Sequence, residues 1–112
     1  MNPANLCKAI QTRLKDELSQ TLYADNAVRI ERIVSQGHCS ADGLWYDQDE
    51  DEFVALLTGS ARLEFQEPED EIDMQAGDWL VIPAHRRHRV VETAADEDSV
   101  WLAVFIKQTA PD

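Results

Sequence analysis

Residues 52–66 read Glu52-Phe53-Val54-Ala55-Leu56-Leu57-Thr58-Gly59-Ser60-Ala61-Arg62-Leu63-Glu64-Phe65-Gln66. Two runs of strand-forming residues meet at Thr58-Gly59-Ser60, a spacing that predicts a tight hairpin. The second run, Ala61–Gln66, alternates Leu63 and Phe65 with Arg62, Glu64 and Gln66, as a strand with one wet face does. The first, Glu52–Thr58, is apolar on both faces, with Val54 and Leu56 on one and Phe53, Ala55 and Leu57 on the other. Both of its sides therefore need cover. Glu52 shares the face of Val54 and Leu56, and a carboxylate aimed into a core must be hydrogen-bonded, paired with a cation or bound to a metal.

Outward from this stretch the same grammar repeats. Val28–Ser35, Leu44–Asp47, Glu71–Met74, Trp79–Ile82, His88–Glu92 and Val100–Ile106 are further strand candidates, with turns at Ala76-Gly77-Asp78 and Pro83-Ala84. Short strands at near-regular spacing predict an all-β sandwich or closed barrel. Ahead of them, Leu6, Ile10, Leu14, Leu18 and Leu22 recur every fourth residue, which predicts a helix over residues 1–26, capped at Asn2-Pro3 and stopped at Asp25-Asn26. The expected organisation is an N-terminal helical segment, 1–26, and a β-domain, 27–112. Trp79–Ile82 and Val100–Ile106 are apolar on both faces, like Glu52–Thr58. One helix is short cover for three such strands, so a homodimer is expected.

Composition bounds the function. The chain has 112 residues, 22 acidic against 10 basic, for a net charge of −12. That length fits one domain, and 44% hydrophobic residues is too many for a disordered chain. The negative charge repels phosphate backbones and anionic lipids, so neither nucleic acid nor a membrane surface is expected as a partner. No apolar run is long enough to span a bilayer, and the N-terminus lacks a signal-peptide core. Two cysteines, Cys7 and Cys39, make no disulfide framework, so a cytoplasmic protein with reduced thiols is expected.

A second chemistry-bearing stretch runs from Gly77 to Val90 and contains His85-Arg86-Arg87-His88-Arg89. Arg86 and Arg87 suit a surface turn paired with acidic loops. His88 shares a strand face with Val90 and points inward. An inward imidazole beside an inward carboxylate is half of a metal site. His38 sits alone in a small-residue turn and reads as solvated, and nothing marks Cys39 with a lowered thiol pKa.

Glu52 and Gly59, with six residues between them, together with Gly77, Pro83 and His88, resemble the two motifs of the cupin superfamily over roughly residues 28–106. The resemblance implies a jelly-roll β-barrel, usually dimeric, with an internal pocket that in many members holds a divalent metal through three His and one Glu. Here Glu52 and His88 fall on the pattern, while the two histidines of the first motif are absent. Their places fall on Trp45 and Asp47, or on Tyr46 and Gln48 if the shorter gap applies. By resemblance the candidate metal set is Glu52 and His88 with Asp47 or Gln48, and with His85 or His38 reaching in from a turn; the ion would be Mn, Fe, Ni or Zn. Tyr46 and Trp45 flank the expected pocket mouth, and Tyr46 is the nearest candidate proton donor. The expected function is binding or turnover of a small polar metabolite by a metal-holding barrel; the alternative is a metal-free small-molecule binding or sensing module.

Overall fold

Alternation along the strands dictates two layers. In the computed structural model, which describes residues 1–108, eight strands appear. They are β1 (Leu18–Ala24), β2 (Val28–Ser35), β3 (Glu50–Leu56), β4 (Ser60–Phe65), β5 (Asp70–Gln75), β6 (Trp79–Ile82), β7 (His88–Thr93) and β8 (Ser99–Lys107). All pairings are antiparallel, in a five-stranded sheet ordered β1-β2-β8-β3-β6 and a three-stranded sheet ordered β5-β4-β7. The sheets close face to face as a jelly roll. Leu56, Met74, Leu63, Phe65, Ile82 and Trp101 fill the interior between them, each contributing roughly 1.5–3 kcal/mol by leaving water.

The Thr58–Ser60 turn is a crossover rather than a hairpin. β3 pairs with β6 and β8, whereas β4 pairs with β5 and β7. The turn is held by the Asp98–Val100 segment: Thr58 Oγ1 donates to the Asp98 carbonyl, and Leu57 N donates to the Val100 carbonyl. The second bond occupies the Leu57 amide that a hairpin would have used across the turn.

No helix forms among the described residues, which corrects the N-terminal expectation. Residues 1–17 run as an irregular strap, with left-handed φ at Ala9 and Arg13. Tertiary partners take the backbone groups that a helix needs. Arg32 donates to the carbonyls of Leu6, Lys8 and Ala9, Gln36 accepts from Leu14 N, and His38 bonds the Lys15 carbonyl. The apolar stripe still docks, since Leu6, Ile10, Leu14 and Leu18 are half-buried. Beyond Leu18 the chain pairs with β2, and Asp25 caps that β-hairpin by accepting from Ala27 N and Val28 N. Leu44–Asp47 does not form a strand either; it keeps a single bridge, Tyr46 to His88.

The strap covers only part of the outer face of the larger sheet. Register places Tyr23, Ile30, Val104, Phe53 and Val81 in one row across all five strands. Beside this row Trp79 stacks on Phe53, ring centroids 5.3 Å apart, and is itself 62% exposed.

Candidate functional site: the barrel pocket

The inner faces of β2, β3, β7 and β8 enclose a cavity of about 280 Å³. Its apolar wall comes from alternate strand positions, Ile33, Val54, Leu63, Val90 and Phe105 among them. At its polar end Glu52 from β3 and His88 from β7 face each other, 7% and 6% exposed, with His88 Nε2 3.6 Å from Glu52 Oε1. His88 Nδ1 lies 2.9 Å from the Arg86 carbonyl oxygen, which only accepts, so Nδ1 carries a proton and Nε2 is turned to the cavity. Burial works against a charged His88, but the Glu52 carboxylate and the Arg86 carbonyl outweigh it and raise its pKa above the ordinary value.

The first-motif positions resolve onto Tyr46 and Gln48, two residues apart and on one face. Gln48 Nε2 donates to Glu52 Oε1 at 3.0 Å. Tyr46 exchanges backbone hydrogen bonds with His88, and the two rings lie 5.6 Å apart. Burial, then the charges of Glu17 and Glu52, raises the Tyr46 pKa, so the phenol stays protonated at neutral pH. Trp45 turns away and lies half-buried under the Arg89 guanidinium, 5.1 Å from its ring centroid.

Asp47 and His85 lie on the exterior, bonded to each other at 3.0 Å with Arg87 3.5 Å from Asp47. His85 chiefly, with Arg87, holds the Asp47 carboxyl below its usual range. His38 bonds Gln36 N and the Lys15 carbonyl through its two ring nitrogens. Cys7 and Cys39 are free and exposed. Of the six candidate ligands, the structure brings Glu52, His88 and Gln48 together and leaves Asp47, His85 and His38 outside.

The pocket also contains residues that sequence reasoning missed. Arg29 and Glu31 project inward from β2. Arg29 lies 4.2 Å from the Phe105 ring centroid and bonds Glu31 at 2.7 Å and Glu50 at 3.2 Å. Partial burial opposes its charge, but Glu31 and Glu50 more than offset that and raise its pKa. From the strap and β1 come Glu17 and Ser19. Glu17 accepts from Ser35 Oγ at 2.8 Å, and Ser35 Oγ in turn lies 3.3 Å from Trp101 Nε1. The charged pair Arg29 and Glu31 at alternate positions of β2 was a readable signal, but such a pair ordinarily marks the solvent face of a strand.

A divalent metal of the kind many cupins hold fits this donor set poorly. Among the described residues no group of three or more His, Cys, Asp and Glu side chains converges to hold an ion. The Gln48 amide presents its NH₂, not its oxygen, to Glu52, and Tyr46 is a neutral phenol. Two protein donors remain where a closed site uses three or four.

This jelly roll, with a carboxylate and an imidazole facing each other in its pocket, defines a small single-domain barrel. Residues 33–105 match the cupin domain, and the chain belongs to the cupin family. A protein from Ralstonia eutropha, named as a putative mannose-6-phosphate isomerase, is 40% identical over 96% of this chain and 100% of its own, with a TM-score of 0.91. A cupin superfamily protein from Desulfitobacterium hafniense shares the fold at TM-score 0.72 and 22% identity, covering 88% of this chain and 84% of its own. A cupin from Bacteroides fragilis does so at 0.67 and 17%, covering 92% and 86%. No curated protein sequence matches the chain. Among the described residues no helix is long and apolar enough to cross a membrane.

Proposed function

We propose that this chain is a small-molecule-binding cupin whose pocket engages its ligand directly, without a resident metal. The observation that carries the reading is the pocket's polar end. Glu52 and His88 face one cavity with Gln48 already hydrogen-bonded to Glu52, and among the described residues no third acid or imidazole completes a coordination shell. A carboxylate and an imidazole at that spacing match a ligand's donor and acceptor, and the aliphatic and aromatic walls take its body. Freshly purified, untagged protein is expected to hold well under 0.1 metal per chain by elemental analysis, unchanged after incubation with Mn, Fe, Ni or Zn. A stoichiometry near one that His88→Ala abolishes would overturn the metal-free reading and restore the metal site of the wider family. The mannose-6-phosphate isomerase name belongs to the 40% identical relative; it makes mannose 6-phosphate a probe worth titrating.

The partner on the outer face is, in this reading, a second copy of the chain. Tyr23, Trp79, Val81 and Ile106 together expose on the order of 400 Å², about half of the ~800 Å² per partner of a standard interface. Half-buried Val28, Ile30, Phe53, Leu102 and Val104 supply more. The face's two charged residues are already engaged: Arg32 with strap carbonyls and Asp51 with Ala84 N. A charged partner finds nothing to hold there, whereas an identical uncharged face is self-complementary across a two-fold axis.

A further inference from the structure

The charges around the cavity do not balance. Glu17, Glu31 and Glu52 line it, against Arg29 and His88. Arg29 is engaged twice over, by Glu31 inside and by Glu50 behind. Whichever protonation state His88 takes, the excess is negative. Glu17, bonded only by the neutral Ser35 hydroxyl, has no cation of its own among the described residues. Its charge faces Tyr46 across the pocket closely enough to raise the phenol's pKa. Deeper in, His88 Nε2 faces Glu52 Oε1 at 3.6 Å, while Glu52 Oε2 makes no hydrogen bond among the described residues, although the Glu52 side chain is nine-tenths buried. The cavity is therefore built for a ligand, and its field favours one sign. The whole chain's −12 reinforces that sign at long range.

We infer that the pocket selects a small organic cation, a primary or secondary ammonium on a compact apolar body, with Glu17 holding the charge. Resting on the metal-free pocket reading, the inference specifies what that pocket takes. The ammonium sits between Glu17 and the Tyr46 ring face, where carboxylate and π-system both favour a cation. The apolar body lies on Ile33, Val54 and Leu63. A phosphate ester is disfavoured, because the cavity's one guanidinium is already neutralised by two carboxylates.

The test is calorimetric titration of the full chain with an isosteric set: cyclohexylmethylamine, cyclohexylmethanol and cyclohexanecarboxylate, with mannose 6-phosphate as a fourth probe. The amine is expected to bind at least tenfold tighter than the alcohol, with the two anions weakest. Glu17→Gln should remove at least tenfold of the amine's affinity and leave the alcohol's unchanged. Glu97→Gln, the same charge change at an exposed site away from the cavity, should alter neither. Glu17 is exposed and its amide still accepts from Ser35, so the fold survives, which circular dichroism checks. Alcohol or mannose 6-phosphate binding without preference for the amine overturns this inference alone, as does a Glu17→Gln effect no larger than that of Glu97→Gln. Silence from all four probes overturns the pocket reading and this inference with it.

Discussion

Two glycines with the same backbone sign separate backbone strain from steric fit. Gly59 has φ +79° and Gly77 φ +96°, so alanine at either position enters the left-handed region, at about 1–2 kcal/mol. Restricting the unfolded chain returns roughly 0.4–1 kcal/mol. At Gly77 no atom of the described residues lies within 4 Å of an added Cβ, so the net loss for Gly77→Ala is about 1 kcal/mol. At Gly59 the Cβ falls onto Ser99 Oγ and within 2.7 Å of Ser99 Cα and 2.8 Å of the Asp98 carbonyl oxygen. Two of those atoms are backbone, and Ser99 is fully buried and donates to the Ser60 carbonyl. Relief would pull the crossover off β8, lengthening the Thr58–Asp98 and Ser99–Ser60 bonds at about 1 kcal/mol each, with overpacking of about 1–3 kcal/mol besides. With the φ strain of about 1 kcal/mol that both variants share, Gly59→Ala should therefore lose about 4–6 kcal/mol. For a domain of this size 1 kcal/mol is about 4 °C in Tm, which predicts a fall of about 4 °C for Gly77→Ala and about 16–24 °C for Gly59→Ala. Thermal unfolding of both variants by circular dichroism, at matched concentration, decides it. Equal losses within about 3 °C would refute the packing argument and leave only the φ strain common to both.

Three other outcomes follow from the same geometry. Light scattering at micromolar concentration should give close to twice the 12.7 kDa chain mass, and Val81→Lys, exposed in the monomer, should give single-chain mass with an unchanged far-UV spectrum; a monomeric wild type would refute the second-copy reading. NMR titration should place the His88 pKa above 6.5, and Glu52→Gln should bring it below, because burial remains and its counter-charge is gone. Since the folded pKa is the raised one, this pair's contribution to stability is fully present below the unfolded value and is lost as pH rises through the folded one; a wild-type stability that His88→Gln leaves with identical pH dependence above pH 6 contradicts it. Finally, Tyr46→His with Gln48→His should complete a three-His, one-Glu set and raise bound Ni or Mn from near zero to about one per chain, and failure to load would show that the first-motif pair does not face the pocket.

Much of the architecture was legible because burial leaves a period-two signature. Val28–Ser35 and Trp79–Ile82 match β2 and β6 residue for residue. The double-apolar runs leave Trp79, Val81 and Ile106 exposed on the outer face, and the second copy proposed above is their cover. The failures have specific causes. Leu6, Ile10, Leu14 and Leu18 keep a helical spacing, yet Arg32, Gln36 and His38 draw off the backbone groups that a helix needs, and propensity yields to these tertiary bonds. Thr58-Gly59-Ser60 has hairpin composition, but a hairpin and a sheet-to-sheet crossover ask for the same turn residues. In the site, Glu52 and His88 were legible because each breaks an apolar face. Arg29 and Glu31 were not: on β2 the polar face turns inward and the apolar face, Val28, Ile30 and Val34, turns outward, reversing the usual rule.

That reversal and the missing histidines are one fact seen from two sides. A barrel with four metal ligands neutralises its carboxylate with the ion. Here Tyr46 and Gln48 replace two imidazoles with a neutral phenol and an amide, so Glu52 must be balanced by His88 and the Gln48 NH₂ alone. The balancing cation is then a protonated side chain rather than an ion. Arg29 at the other end is likewise fully engaged, by Glu31 and Glu50. Both interior positive charges are spent on the protein's own carboxylates, and Glu17 at the strap is the charge left facing the cavity without a counterpart among the described residues. Because Glu17 belongs to the strap that Arg32 fastens to the outer face, the pocket's selectivity is set by a segment outside the barrel's strands, and the chain that docks on the sheet's outside also gives the cavity its sign.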